Sequence, residues 1–538
     1  MPLTFNPDDW FLDTRENPDT LVGPETVNNQ VTELIDGACY MAKLYELLTS
    51  AGSGDFFWYA GLELNLDLEL IDKNGQATVA NVFREARERG VDIRVMLSNH
   101  LSNSNNRADR AFRKLDKPIE CILDSRFRDF GSAHQKFSIL FTDRAHAPDP
   151  ADRLPEKQLH AFCGGIDLQV DRWDTMDHGE LGTSGFRKFK DFPAGWHDVH
   201  ALIRGDACVH FVLMFVERWN NPEPPRINER GPYTPIKQAV PAETTEPPGK
   251  HMVQVLRTYS CGYDELHVKP LPPMAGVPAG AVGATVEHVD YPFAKAGEFS
   301  ARAACLKAIA KARDFIYIED QYFFSYEIAI ALRDALIAHE KLQVIVLVAQ
   351  EPTGDKGTRL ENYYHFRTLN GLALELVNGD RYQNFAIFDL RKPRKDSTEE
   401  DQIYVHAKLM IVDDLWVQIG SMNCNRRSMT HDLEAAVAIV DPETEPVQYG
   451  SYGVASKFAR RLRLRLWREH LRVPDELIDD PTSGIRVWSD IADGKYAHVR
   501  HHEAASKIWR SAYLWRTIGD PQGTCAGADS IPDPWPET

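Results

Sequence analysis

No run of about 18 consecutive apolar residues, the length that crosses a bilayer as a helix, occurs anywhere in this 538-residue chain. No transmembrane segment is therefore expected. Positive charge is also scarce: 61 Lys and Arg stand against 79 Asp and Glu, a formal net charge of -18. Broad binding to nucleic acid works by neutralising phosphates with Lys and Arg, so no nucleic-acid partner is expected, although a locally basic pocket stays open. The stretch Met1-Pro-Leu-Thr-Phe-Asn-Pro-Asp-Asp-Trp10 lacks the basic start and apolar centre of a secretory signal. The expected location is the cytoplasm, or outside it by a specialised secretion route. The eight cysteines form no CxxC pair and no zinc-type spacing, which predicts reduced, mostly buried thiols.

What the chain does have is apolar content, 43% of its residues, enough for two domains or one large duplicated one. The periodicity predicts a helix over Val27 to Leu48, a strand at Phe56 to Leu64, a helix at Ala77 to Arg89 and a strand at Val91 to Leu97. The same order returns as a helix at Ala301 to Arg313, a strand at Phe315 to Ile318, a helix at Tyr326 to His339 and a strand at Leu342 to Val348. Alternation of this kind predicts an α/β protein with mixed, largely parallel sheets and helices outside. The stretches Asn220 to Pro225 and Pro241 to Gly249 read as a linker, and Pro270 to Gly283 as a long loop. The expected organisation is a first half over 1–220, a Pro-rich linker over 221–250 and a second half over 251–538 that ends in a coil tail. The helix Ser456 to Leu471 carries Arg460, Arg461, Arg463, Arg465 and Arg468, suited to a solvated face on a core helix or to an anionic membrane surface.

The most informative pattern is repeated. His134-Gln135-Lys136 and His406-Ala407-Lys408 sit in matching surroundings, and on a strand residues two apart leave the same face. The first copy continues through Asp143 to Gly164-Gly165-Ile166-Asp167 and then Trp196-His197-Asp198-Val199-His200; the second continues through Asp413 to Gly420-Ser421-Met422-Asn423 and then Asp432-Leu433-Glu434. A lone His-x-Lys is usually a solvated edge and a lone glycine pair a turn. Features recurring in one order point instead to one site built from two copies at a common seam.

His406-x-Lys408-x4-Asp413, followed by Gly420-Ser421-x-Asn423 and Arg427-Ser428, resembles the HKD signature of the phospholipase D superfamily. Several segments are similar to its lipid-acting branch: Gly164 to Leu168, Asp171 to Thr175, Trp196 to His200, Phe215 to Asn220, Ile316 to Phe323 and Leu466 to Leu471. The first copy departs from the pattern, having Phe141 where the family has aspartate and Asp143 as its nearest acid. The resemblance implies a duplicated phospholipase D-like fold, two mixed β-sheet halves flanked by helices, with one active site at the pseudo-twofold seam. It implies that His134, Lys136, His406, Lys408, Asp413, Asn423, Asp198 and Glu434 form the catalytic set, with Ser421, Gly165, Asp167 and Asp143 near the substrate. Asp198 would orient His134 and Glu434 would orient His406, unless the pairing crosses between halves. Asp413 and Asp143 would support from the opposite face, and Asp167 would hydrogen-bond behind the phosphate.

The implied reaction is hydrolysis of a glycerophospholipid at a membrane surface to phosphatidic acid and a free headgroup alcohol. It passes through a phosphohistidine on His134, with transphosphatidylation when another alcohol competes with water. Lysines supply the positive charge, so neither metal nor cofactor is called for. The alternatives are another HKD phosphodiesterase or phosphatidyltransferase, nuclease-like or cardiolipin-synthase-like, and a non-catalytic phosphate-binding protein. His197 and His200 read as structural or rim residues, Cys424 as packing, and Trp173 and Tyr322 as channel wall or core.

Overall fold

The structure, a computed structural model, describes residues 2–13, 22–99, 105–124, 126–127, 131–143, 157–178, 194–220, 233–237, 248–260, 291–323, 325–350, 382–393, 398–494 and 497–502. The loop at 270–283, most of the linker and the tail lie outside these residues.

Sixteen strands carry the argument: β1 Thr26–Ile35, β2 Phe56–Gly61, β3 Asp92–Ser98, β4 Glu120–Asp124, β5 Phe137–Asp143, β6 Lys157–Gly164, β7 Trp196–His197, β8 Val199–Gly205, β9 His251–Thr258, β10 Phe315–Asp320, β11 Gln343–Val348, β12 Phe385–Pro393, β13 Glu400–Val405, β14 Leu409–Val412, β15 Trp416–Gly420 and β16 Glu434–Val440. In the first half they lie in the order β4-β3-β2-β5-β6-β8-β1, and in the second in the order β12-β11-β10-β14-β15-β16-β9. Each half begins with three parallel strands and continues antiparallel. The two meet where β1 pairs with β9, Thr26 opposite Val253 and Asn29 opposite His251. The architecture is the expected mixed α/β duplication, but the sheets are not largely parallel as expected: four of the six neighbouring pairs in each order are antiparallel, because among the described residues a helical crossover joins neighbours only within the first three strands.

Burial explains the strand compositions. The runs FFWYAG in β2 and LMIV in β14 are buried at every position, as befits strands covered on both faces. Along β16 the two faces separate cleanly. Ala435, Val437 and Ile439 join a core shared with β5, β6 and β8 of the first half, whereas Ala436, Ala438 and Val440 pack under the helices Ser300–Lys311 and Tyr326–Ala338. A matching core lies under the helices Asp36–Ser50 and Val79–Glu88 of the first half. Helices therefore cover the outside of each sheet, and a common interior joins the halves. Side-chain caps start two of these helices: Thr78 accepts from Asn81 N and Ser325 from Ile328 N.

A second expectation is corrected. Residues Val27 to Ile35 are not helix but most of β1, and the helix begins at Asp36. The segment is rich in β-branched residues, which suit a pleated surface, and β8 supplies its backbone partners from Gly205 to Val199. The arginine helix, Lys457–Leu471, is the core helix with a solvated face of the first reading: Phe458, Leu462, Leu466 and Trp467 are buried, while Arg461 and Arg468 stay about half exposed. Arg461 and Arg465 bind Glu33, Arg460 binds Glu445 and Asp479, and Arg468 binds Asp475. Arg463 is wholly buried against Asp414. These guanidiniums clamp the chain to itself. No helix among the described residues is long and apolar enough to cross a membrane. The six described cysteines are free thiols, five of them buried, and Cys424 packs in the core of the second half.

Candidate active site

Each His-x-Lys segment lies just ahead of a strand, residues 134–136 before β5 and 406–408 before β14. What holds the segments extended is the other half of the chain. Ala133 bridges Leu433 in parallel, and Leu433 N donates to Ser132 O at 2.9 Å. In the second copy Val405 pairs in parallel with His197, and His406 N donates to His197 O at 2.8 Å. The residue after each bridge is therefore side by side with the next residue of the opposite half: His134 with Glu434, His406 with Asp198.

That register corrects the expected carboxylate pairing. His134 Nδ1 donates to Glu434, 3.0 Å from either carboxylate oxygen, and His406 Nδ1 donates to Asp198 Oδ2 at 2.7 Å. The pairs cross the seam. A donating Nδ1 fixes each tautomer and leaves the lone pair on Nε2. All four groups are at least nine-tenths buried. Burial first, and the lysine charges next, hold both imidazoles well below their usual pKa; His406 feels Lys408, Arg172, Lys136 and His134, the groups of one shared pocket. Burial also raises the carboxyls, Asp198 to about 6 and Glu434 to about 7, against the pull of the lysines.

The lysines differ. Lys136 Nζ donates to His134 O at 3.1 Å and pairs with Asp167 Oδ2 at 3.3 Å. Lys408 Nζ donates to His406 O and, at 3.3 Å, to the neutral Gln321. No carboxylate of the described residues lies within ion-pair distance of Lys408, and burial pulls its pKa down to about 8. Asp167 Oδ1 accepts from Leu62 N and Glu63 N at 2.9 and 3.3 Å. Asp167 thus ties Lys136 to the backbone at Leu62 and Glu63. Its counterpart Asn423 is buried, with Nδ2 3.5 Å from Ser428 Oγ and Oδ1 unpartnered.

Four further assignments change. The hydroxyl of Ser421, expected near the substrate, is engaged with the carboxylate of the seam: it donates to Glu434 Oε2 and accepts from Ala435 N. Gly165 occupies the matching place, where a Cβ would sit 2.1 Å from Asp198 Oδ1; it makes room for that carboxylate. Gly165→Ala is expected to displace Asp198 and lower kcat by about 10- to 100-fold, the usual cost of disturbing a group that orients a functional side chain. Steady-state kinetics on folded protein checks this.

Asp413 opens the three-residue connection between β14 and β15, with Asp413 and Asp414 at φ 54 and 52 and Leu415 N bonded to Val412 O. Its carboxylate accepts from the backbone N–H groups of Arg313, Asp314 and Phe315 at 2.8 to 2.9 Å. Five residues of strand at about 3.3 Å each carry it roughly 16 Å from Lys408. It pins the start of β10 and touches no site group. Asp143, seven residues past Lys136, is about 23 Å away by the same measure, and its N–H donates to Asp55 at 2.7 Å. Asp413→Ala strands three donors and puts Ala at positive φ, so it should cost about 2–4 kcal/mol. Denaturant unfolding measures that loss, with kcat per folded molecule nearly unchanged.

Several residues within these motif segments position the site without touching it. Asp432 accepts from Ser132 N at 2.6 Å and from Arg427 Nε at 2.8 Å, tying the loop before His134 across the seam. Asp320 accepts from Cys424 N at 2.8 Å and so holds the loop of Asn423. Gln135 Nε2 donates to Glu434 O at 3.1 Å while Arg218 donates to its Oε1 at 2.6 Å. Arg172 stacks on Trp196, 3.9 Å from its ring centre. His200 is structural, stacked on Tyr40 and accepting from Ile166 N. Trp173 packs against the first-half core.

The fold and site define a duplicated α/β protein with a paired His-Lys centre at its seam. The family model described as Phospholipase D matches residues 51–339 and 361–502. The chain belongs to the phospholipase D family. It is 26% identical over 496 residues to Phospholipase D gamma 2 of Arabidopsis thaliana, covering 74% of this chain and 56% of that protein. It is 24% identical over 526 residues to Phospholipase D alpha 2 of the same plant, covering 79% of this chain and 62% of that protein. The chain thus spans 56 to 62% of the length of these relatives. Among solved structures, phosphatidylserine synthase of Haemophilus influenzae Rd KW20 aligns over 77% of this chain and 82% of its own at 13% identity and a TM-score of 0.47.

Proposed function

We propose that the chain is a phospholipase D that hydrolyses glycerophospholipids to phosphatidic acid and a free headgroup alcohol through a covalent phosphohistidine. The observation that carries this reading is the crossed pair of carboxylate-held imidazoles, each with Nε2 available, beside Lys136 and Lys408. A phosphodiester is anionic and slow to react, so its cleavage needs a nucleophile, neutralised oxygens and a proton for the leaving group.

In the first step His134 Nε2 forms a bond to phosphorus as the headgroup P–O bond breaks and His406 gives that oxygen its proton. The bound phosphate raises the pKa of His406, so the acid is charged while the nucleophile stays neutral. In the second step water gives a proton to His406 as its oxygen attacks phosphorus and the P–N bond breaks. Lys136, Lys408 and Asn423 hold the non-bridging oxygens and stabilise the five-coordinate transition state. Lys408, without a carboxylate neighbour at ion-pair distance, carries the larger share. An added alcohol replaces water in the second step and gives transphosphatidylation. The phospholipid substrate is met at the membrane surface by a chain whose described helices do not cross it.

The test is product analysis with phosphatidylcholine and phosphatidylethanolamine vesicles plus ethanol. Phosphatidic acid and phosphatidylethanol formed by wild type, and not by a His134→Ala, His406→Ala variant, support the reading. No product from either lipid overturns it.

A further inference from the structure

A second cluster of ionisable groups lies behind the site and takes no part in the chemistry above. Asp36, His178, His197 and Glu469 each aim one donor atom at a common point, the four atoms lying within 4.8 Å of one another. Glu469 Oε1 is 2.9 Å from His197 Nδ1 and 3.1 Å from His178 Nε2, and Asp36 Oδ1 is 3.2 Å from His197 Nδ1. Four ligands at about 2.0–2.2 Å from a tetrahedral zinc stand roughly 3.3 Å apart, a few tenths from these spacings. All four side chains are at most 1% exposed. Asp36 Oδ2 and Glu469 Oε2 are buried with no hydrogen-bond partner, which is costly for carboxylates unless a cation stands nearby.

The imidazoles are also arranged as ligands. A metal-bound histidine characteristically gives its remote N–H to a carboxylate. His178 Nδ1 donates to Asp174 Oδ2 at 3.3 Å, and His197 Nε2 donates to Glu319 Oε2 at 2.9 Å. Those outer carboxylates are held in turn: Asp174 accepts from Trp196 N at 2.6 Å, and Glu319 from Tyr317 Oη at 2.7 Å and His470 Nε2 at 3.1 Å. Four buried carboxylates thus converge on three histidines. The donor set of two imidazole nitrogens and two carboxylate oxygens suits a borderline divalent metal better than Ca2+ or Mg2+, which favour oxygen alone.

We propose that Asp36, His178, His197 and Glu469 bind a structural divalent transition metal, with Zn2+ the best fit. The ligands come from the start of the helix Asp36–Ser50, the segment near residue 178, β7 and the helix Lys457–Leu471, so the ion joins both halves. It also braces the catalytic wall: Asp36 N donates to Asp198 O at 2.8 Å, and His197 O accepts from His406 N. The ion has no open position for substrate and forms no bond to the reacting phosphate.

The experiment is elemental analysis of the full chain, grown with Zn2+ in the medium and gel-filtered in EDTA, with metal released by guanidinium measured using a chromogenic chelator. About one equivalent of zinc per chain is expected in wild type and in His134→Asn, released only on unfolding. His178→Gln and Glu469→Gln are expected to hold less than about a fifth of an equivalent and to melt at lower temperature. Wild type with no stoichiometric metal would overturn the proposal in favour of a proton-sharing network, as would folded variants that keep a full equivalent. If the variants do not fold, the wild-type stoichiometry and its release on unfolding decide the matter, whatever the activity.

Discussion

His134→Asn is expected to abolish phosphoenzyme formation and to lower kcat by at least about 10³-fold, because no other group can take over attack on phosphorus. His406→Asn should behave differently. Loss of a general acid typically costs about 10²–10⁴-fold, but most of that cost falls on substrates with poor leaving groups. With a p-nitrophenyl phosphodiester, whose leaving group needs no proton, the His406→Asn protein should still form the phosphohistidine and accumulate it, since the base that activates water is gone. Rapid quench followed by intact-protein mass spectrometry reads both outcomes. Adduct on the His134→Asn protein, and none on His406→Asn, would exchange the two roles.

The crossed pairing sharpens the second expectation. Because Glu434 holds His134 and Asp198 holds His406, Glu434→Gln should slow phosphoenzyme formation, whereas Asp198→Asn should slow its hydrolysis and let it accumulate. Each should lower kcat by about 10²–10⁴-fold, since loss of the carboxylate charge removes the stabilisation of an imidazolium. The pH profile supplies a separate readout. Burial raises the Glu434 carboxyl to about 7, so below that pH it is protonated and no longer offsets charge on His134. In wild type kcat/KM should therefore rise as pH increases through about 7, and in Glu434→Gln that rise should vanish. The uncrossed arrangement predicts the opposite assignment of the two variants, so a single pair of quench experiments separates them.

Much of this was legible in the chain itself. The two His-x-Lys segments, the glycines after the next strands and the two acids recur in one order, and local spacing is what a sequence records. The partner of each histidine was not, because it depends on a parallel register between segments some 300 residues apart in the first pair and about 200 in the second. Asp413 misled for a related reason: its place in the motif says nothing of the tight turn that aims it at Arg313, Asp314 and Phe315. The missing aspartate at Phe141 is explained in the same terms. In the first half the pin comes from the facing strand end, where Asp55 accepts from Asp143 N and Gly52 N, and Phe141 is free to stack on Phe56 at 5.5 Å. The start of β1 was missed because a short amphipathic stretch next to a helix shares its apolar periodicity, and only the pairing with β8 tells them apart.

The exchange of carboxylates across the seam has a consequence for how this chain can change over evolutionary time. Neither half carries a complete catalytic unit, so an inherited substitution at one histidine is judged by a residue encoded hundreds of codons away. Away from those contacts the two copies differ in sequence: Asp167 stands in one where the other has Asn423, Leu62 where it has Gln321, and Gly165 where it has Ser421. A protein assembled from two identical subunits could not have made such changes one side at a time. Fusion into a single chain lets matching positions take different side chains while both copies keep the same fold.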